Sequence, residues 1–177
     1  MTSPIQLHRT PSAGFDQPFE MLAACHERVE RMLQLLERLA QHLPGHGCDA
    51  QAVDAARDVM RYFDIAAPAH HEDEERHVLP VLRARGEDAF AAQLEQEHRE
   101  MARRWQRVRR PLAAVVAGHW DAQEADEVLA CWRSFAALYR AHAQAEDQSA
   151  FPLARADLDA DAQRAMGREM AARRGVG

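Results

Sequence analysis

The feature that most constrains this chain is a match to itself at an offset of 72 residues. His26 falls on His98, His70 on His142, Glu74 on Glu146 and Pro80 on Pro152. The correspondence extends to Leu22 and Leu94, Arg61 and Arg133, and Phe63 and Phe135. Self-similarity at a fixed offset marks a structural unit used twice. Each unit supplies a His from its first part and a His-x-x-x-Glu from its second, so the chain reads as two related helical hairpins.

Hydrophobic periodicity supports that reading. Leu22, His26, Val29, Leu33, Leu36, Ala40 and Leu43 advance in alternating steps of four and three, as do Leu94, His98, Met101, Trp105, Val108, Leu112 and Val115. Such spacing draws one inward seam along a packed helix. The second helix of each hairpin carries a seam too: Ala56, Met60, Phe63, Ala67, His70, Glu74, His77 and Val81, then Val128, Trp132, Phe135, Tyr139, His142, Glu146, Ser149 and Leu153. Both place a His and, one turn later, a Glu on the inward face. The fold class that follows is all-α, an up-down-up-down four-helix bundle with a short C-terminal helix.

Pro and Gly punctuate the chain. Residues 1–17, with Pro4, Pro11 and Gly14, read as an N-terminal arm, residues 18–155 as the bundle, and residues 156–177 as a C-terminal helix and tail. The first helix is expected to start near Pro18, a favoured first-turn residue, and to stop at Pro44-Gly45. Asp49 is a candidate N-cap for a second helix reaching Arg85. The third spans Glu87 to Ala117, and Asp121 is the candidate cap of a fourth that runs to Arg155. Pro68, Pro80, Pro111 and Pro152 are each expected to kink or end a helix.

Composition narrows the classes. The 177 residues suit one domain and are enough to bury a core without staples. Ala, Leu, Glu, Gln and Arg are good helix formers. A net charge of −6 gives no reason to expect a nucleic-acid partner. All basic side chains are Arg, which reads as a composition bias. Cys25, Cys48 and Cys131 are odd in number and widely spaced, so neither a disulfide framework nor a CxxC zinc site is expected, and a reducing cytoplasm is the expected location. Met1 to Phe19 lacks the apolar stretch of a signal peptide, and no apolar run is long enough for a membrane span.

Four imidazoles and two carboxylates directed into one core require compensation, because a buried unpaired carboxylate costs several kcal/mol. A pair of metal ions supplies it. The candidate ligands are His26, His70, Glu74, His98, His142 and Glu146: two imidazoles for each ion, with the two Glu able to bridge. Imidazole and carboxylate suit iron, which ranks ahead of manganese and zinc.

The residues resemble the hemerythrin-like (HHE cation-binding) family. His26 in CHERVE, His70 and Glu74 in HHEDEERHVLP, His98 in EQEHREM, and His142 and Glu146 in HAQAEDQSAFP reproduce its H…HxxxE…H…HxxxE pattern across Pro18 to Arg155. The resemblance implies a non-haem di-iron centre in the bundle core and a small ligand such as dioxygen or peroxide. Oxygen-carrying members have a fifth His four residues after the third-helix His. Here that position is Ala102, and its repeat mate is Glu30, a further candidate carboxylate. Four rather than five His implies an open coordination position. That turns the expectation from pure oxygen carriage toward binding or sensing of oxygen or iron. The alternative is an enzyme acting on peroxide, peroxidase- or catalase-like, or a protein of iron homeostasis or iron-centre repair.

Other residues have plainer readings. His71, Glu75 and Asp147 adjoin candidate ligands and could exchange with them if a helix slipped in register. His77 pairs with Ser149 in the repeat and reads as a polar core end. His8, His42, His46 and His119 read as surface residues, and Trp105, Trp132 and Tyr139 as core. Cys25 precedes a seam His but leaves the seam. Arg103, Arg104, Arg107, Arg109 and Arg110 read as a solvated face. A ferritin-like arrangement through Glu74–His77 and Glu95–His98 is disfavoured, because the repeat sets Ala23 and Ser149 opposite Glu95 and His77.

Overall fold

A computed structural model describes residues 14–176, which form helices joined by short turns, with no strand among them. Helix α1 is Pro18–His46. Helix α2 covers residues 50–84 and α4 residues 125–157, each built from consecutive segments. Helix α3 is Asp88–Val116, and α5 is Ala160–Arg173. Each of the first four helices packs on its neighbour in sequence, and α4 closes back onto α1. Connections this short make chain neighbours antiparallel, and the result is the expected four-helix bundle. Of the N-terminal arm, residues 1–13, including His8, lie outside the described residues.

The seams become two apolar blocks. One gathers Val29, Leu33, Leu36, Phe63, Trp105, Leu112, Trp132 and Phe135. The other gathers Phe19, Leu22, Leu79, Leu82, Leu94 and Phe151, with Met166 and Met170 from α5. Fully burying one such side chain contributes about 1.5–3 kcal/mol. Between the blocks lies a buried polar layer of His26, His70, Glu74, His98, His142 and Glu146.

The prolines act in different ways. Tyr62–Ala66 and Glu146–Ala150 are π-helical, and each ends two residues before a proline, Pro68 or Pro152. In a regular α-turn the proline ring strikes the carbonyl four residues back, and a π-turn opens the spacing there. Pro80 instead follows a break at Val78. Pro111 does not end its helix, since α3 continues through it to Val116. Likewise α1 does not stop at Pro44 but runs to His46, where the amide of Gly47 (φ 65°) caps the Leu43 carbonyl.

Asp49 caps α2 by accepting from the Ala52 amide at 2.9 Å. Asp121 does not cap α4. It accepts from the Gln123 amide at 2.8 Å in a local turn, and the helix starts later, at Ala125. Helix α5 is capped by Asp159 and lies against the block formed by Phe19, Leu79 and their neighbours. A Cβ on Gly167 would lie 1.7 Å from the Phe15 carbonyl oxygen, so only glycine allows residues 14–17 to lie on α5.

Candidate metal centre

Four helices deliver the polar layer. His26 comes from α1, His70 and Glu74 from α2, His98 from α3, and His142 and Glu146 from α4. Their ligand atoms form two overlapping groups. One atom each of His26, His70, Glu74 and Glu146 lies within 4.8 Å of the others, and the same holds for Glu74, His98, His142 and Glu146. Donors about 2.1 Å from one ion lie within about 4.2 Å of each other, so both groups are near that spacing.

The two carboxylates straddle the groups. Glu74 Oε1 is 2.9 Å from His70 Nε2 and 3.7 Å from His26 Nε2, while its Oε2 is 3.3 Å from His98 Nε2. Glu146 Oε2 is 3.2 Å from His26 Nε2 and 3.1 Å from His142 Nε2, and its Oε1 is 3.9 Å from His98 Nε2. Yet both Glu oxygens and the Nε2 atoms of His26 and His70 are buried without a partner in hydrogen-bond geometry. Lone pairs that converge without bonding one another, on fully buried carboxylates, are a strong polar demand left unmet by protein. The donor set therefore fits a cation.

Outer contacts aim the rings. His26 donates from Nδ1 to Asp147 at 2.9 Å, His98 to Glu75 at 2.9 Å and His142 to Glu97 at 2.7 Å. Holding the proton on Nδ1 leaves the Nε2 lone pair facing the layer. His26 also stacks on Phe151, at 5.2 Å between centroids.

Charge in the metal-free layer is set by competition. Burial lowers the pKa of His26, but the hydrogen bond to Asp147 and the nearby carboxylates of Glu146 and Glu74 outweigh it and push the value up to about 12. Burial also opposes charge on His70, and the field of Glu74, with the Cys25 thiol nearby, pushes it up to about 10. His142 is raised as well, against burial, by Glu146. Burial disfavours the Glu74 carboxylate, yet the charge of His70 and the other imidazoles hold its pKa well below the usual range. In the metal-free layer His26, His70 and His142 thus favour the protonated form and Glu74 the ionised one, and a cation entering there must displace protons.

The remaining candidates stand apart. Glu30 accepts from Arg140 at 2.9 and 3.1 Å and from Gln34 at 2.9 Å, with its side chain 40% exposed, so its carboxylate is engaged outside the layer. His71 lies outside both groups, stacked on His98 at 4.2 Å, and burial with the charge of His98 drives its pKa well down. Glu75 and Asp147 hold His rings from outside. His77 pairs with Glu169 of α5 at 2.6 Å. Ala102 lines a cavity of about 210 Å³ together with His71, Trp105 and Tyr139. A larger groove of about 630 Å³ between α1 and α4 reaches His26 and Tyr139.

Two supports escaped the sequence reading. Glu97 precedes His98 but serves His142 across the bundle. Asp73, fully buried beside Glu74, is clamped by Arg173 and by Arg174, whose Nη2 is 2.6 Å from Oδ2. The repeat could have flagged Glu75 with Asp147, since they share the 72-residue offset. No periodicity marks Asp73.

The fold and this layer define a helical bundle with a buried His/carboxylate core for cations. The chain belongs to the hemerythrin HHE cation-binding domain family, whose model matches residues 17–154. It is also 31% identical over 166 residues to a protein of Haemophilus influenzae described as uncharacterized, covering 93% of this chain and 94% of that one. Among the described residues, no helix is long and apolar enough to cross a membrane.

Proposed function

We propose that the protein is a non-haem di-iron protein that binds or senses oxygen or iron, with His26, His70, Glu74, His98, His142 and Glu146 as ligands. The observation that carries this reading is the pair of overlapping ligand groups sharing two buried carboxylates that have no hydrogen-bond partner. When bound, iron supplies redox chemistry and a Lewis acid for a small oxygen-containing ligand. The chain's own residues do the rest. Glu74 and Glu146 neutralise charge between the two positions. Asp147, Glu75 and Glu97 hold three imidazoles in the tautomer that presents Nε2. The apolar blocks above and below limit water. The groove along α1 and α4 gives a small ligand a route to His26. Free Cys25, Cys48 and Cys131 suit a reducing cytoplasm.

A second reading, turnover of peroxide, is favoured by Ala102. The small side chain there leaves a cavity beside His71 and Tyr139 where an oxygen carrier has an imidazole.

The test is to purify the chain from iron-supplemented cells, measure metal per chain, and record absorption spectra anaerobically, then with oxygen, then with peroxide. The expected result is about two irons per chain, lost together in His70→Ala/His142→Ala. A reversible spectral change with oxygen supports binding or sensing, and sustained peroxide consumption supports the second reading. Absence of bound transition metal, with the fold unchanged in the double variant, sinks both.

A further inference from the structure

The outer supports of the imidazoles obey the same 72-residue offset as the ligands. Asp147 accepts from His26, and Glu75, its repeat mate, accepts from His98, the mate of His26. Glu97 accepts from His142. Its repeat mate is residue 25, and the mate of His142 is His70. Residue 25 is a cysteine, and its thiol lies beside the His70 ring. His70 is 2% exposed, and its Nδ1 is buried with no partner in hydrogen-bond geometry. So the pattern of four supported imidazoles has one gap, and the gap is at Cys25.

We infer that Cys25 makes the two metal positions unequal: the one formed by His26 and His70 holds its ion more weakly than the one formed by His98 and His142. This rests on the two-metal reading above. Both positions have two imidazoles and share Glu74 and Glu146, so the inner donors give no reason for a difference. A carboxylate on the outer nitrogen orients the ring, raises its basicity and adds negative charge near the ion. Sulfur is a weak hydrogen-bond partner and supplies little of this. Losing such an outer partner costs about 10–100-fold in metal affinity. The weaker position is also the one whose His26 lines the α1–α4 groove, so the ion nearest that groove is the more exchangeable of the two.

The test is anaerobic calorimetric titration of the metal-free full chain with ferrous iron at fixed pH. The parent protein is expected to bind in two steps separated by about 10–100-fold. Cys25→Glu supplies the missing carboxylate and raises only the weaker step. Glu97→Cys copies the gap into the other hairpin and lowers only the tighter step. Either variant therefore narrows the separation, from opposite directions, so a folding failure in one leaves the other decisive. Cys25→Ser, which adds no carboxylate, leaves both steps in place. Two equal steps in the parent, or a separation unchanged in both carboxylate variants, overturns the inference while the two-metal reading stands. A steep loss of the weaker step in Cys25→Ser also overturns it, because sulfur would then be a ligand. No binding in the parent overturns the two-metal reading itself.

Discussion

The two hairpins carry the same inward His and Glu at the same offset, yet they hold them differently. In the first, the π-turn at Tyr62–Ala66 precedes His70, and the backbone breaks at Val78, after Glu74. In the second, the π-turn begins at Glu146 itself. Helix α2 contains Pro68, whose repeat mate in α4 is Arg140, so it must accommodate one proline more than α4 does. It also carries the buried Asp73, whose mate is Ala145, and only it is clamped there by α5. The spacing of His and Glu is thus kept while the scaffolding around it is not.

The largest effect separates shared from private ligands. Glu74→Ala and Glu146→Ala each are expected to abolish binding of both ions, while His70→Ala spares the ion held by the second hairpin. Metal analysis reads this directly, and loss of a single ion in Glu74→Ala sinks the bridging role. Next comes the clamp peculiar to the first hairpin. Arg173→Ala/Arg174→Ala leaves the Asp73 charge buried and alone, and is expected to destabilise the metal-free protein by about 3–5 kcal/mol in urea titrations. Adding Asp73→Ala to that variant is expected to recover much of the loss.

A pH scan of the metal-free protein sharpens the comparison further. Imidazoles whose pKa is raised by folding contribute stability that is fully present below the ordinary His value of about 6.5. It is lost as pH rises through about 10 for His70 and about 12 for His26. Glu74, depressed, contributes above the usual carboxylate range and loses its contribution in acid. The melting temperature of the metal-free chain should therefore fall between pH 6.5 and 10, and His70→Ala should flatten that fall. A melting temperature that rises over this window would falsify the imidazolium–carboxylate description.

The smallest effect compares two aspartates one repeat apart. Asp49→Ala removes a helix cap and is expected to cost about 1 kcal/mol. Asp121→Ala removes only a turn contact and should stay within about 0.5 kcal/mol. Chemical denaturation of the two variants distinguishes them.

That last pair shows where sequence reasoning stops. Asp49 and Asp121 share a repeat position and a polar context, but a longer connection between α3 and α4 delays the second helix to Ala125. The inward His and Glu were legible because four-and-three periodicity fixes which side chains face the core, and the repeat supplied each residue with a witness. Glu97 and Cys25 were not, because they sit off the seams, and their contacts depend on the rotational phase of a neighbouring helix. The same holds for Glu30, a possible extra carboxylate or a solvated helix flank by its position, which Arg140 engages.

The clamp on Asp73 has a consequence for how the chain is made. Asp73 leaves the ribosome 100 residues before Arg173 and 101 before Arg174. Domains tend to fold from the N-terminus as synthesis proceeds. Here the helix that carries His70 and Glu74 gains the two guanidinium partners of Asp73 only once the chain has been made through Arg174. The clamp is therefore among the last contacts that can form as the chain is synthesised, and it ties the C-terminal helix to the helix beneath the His/Glu layer.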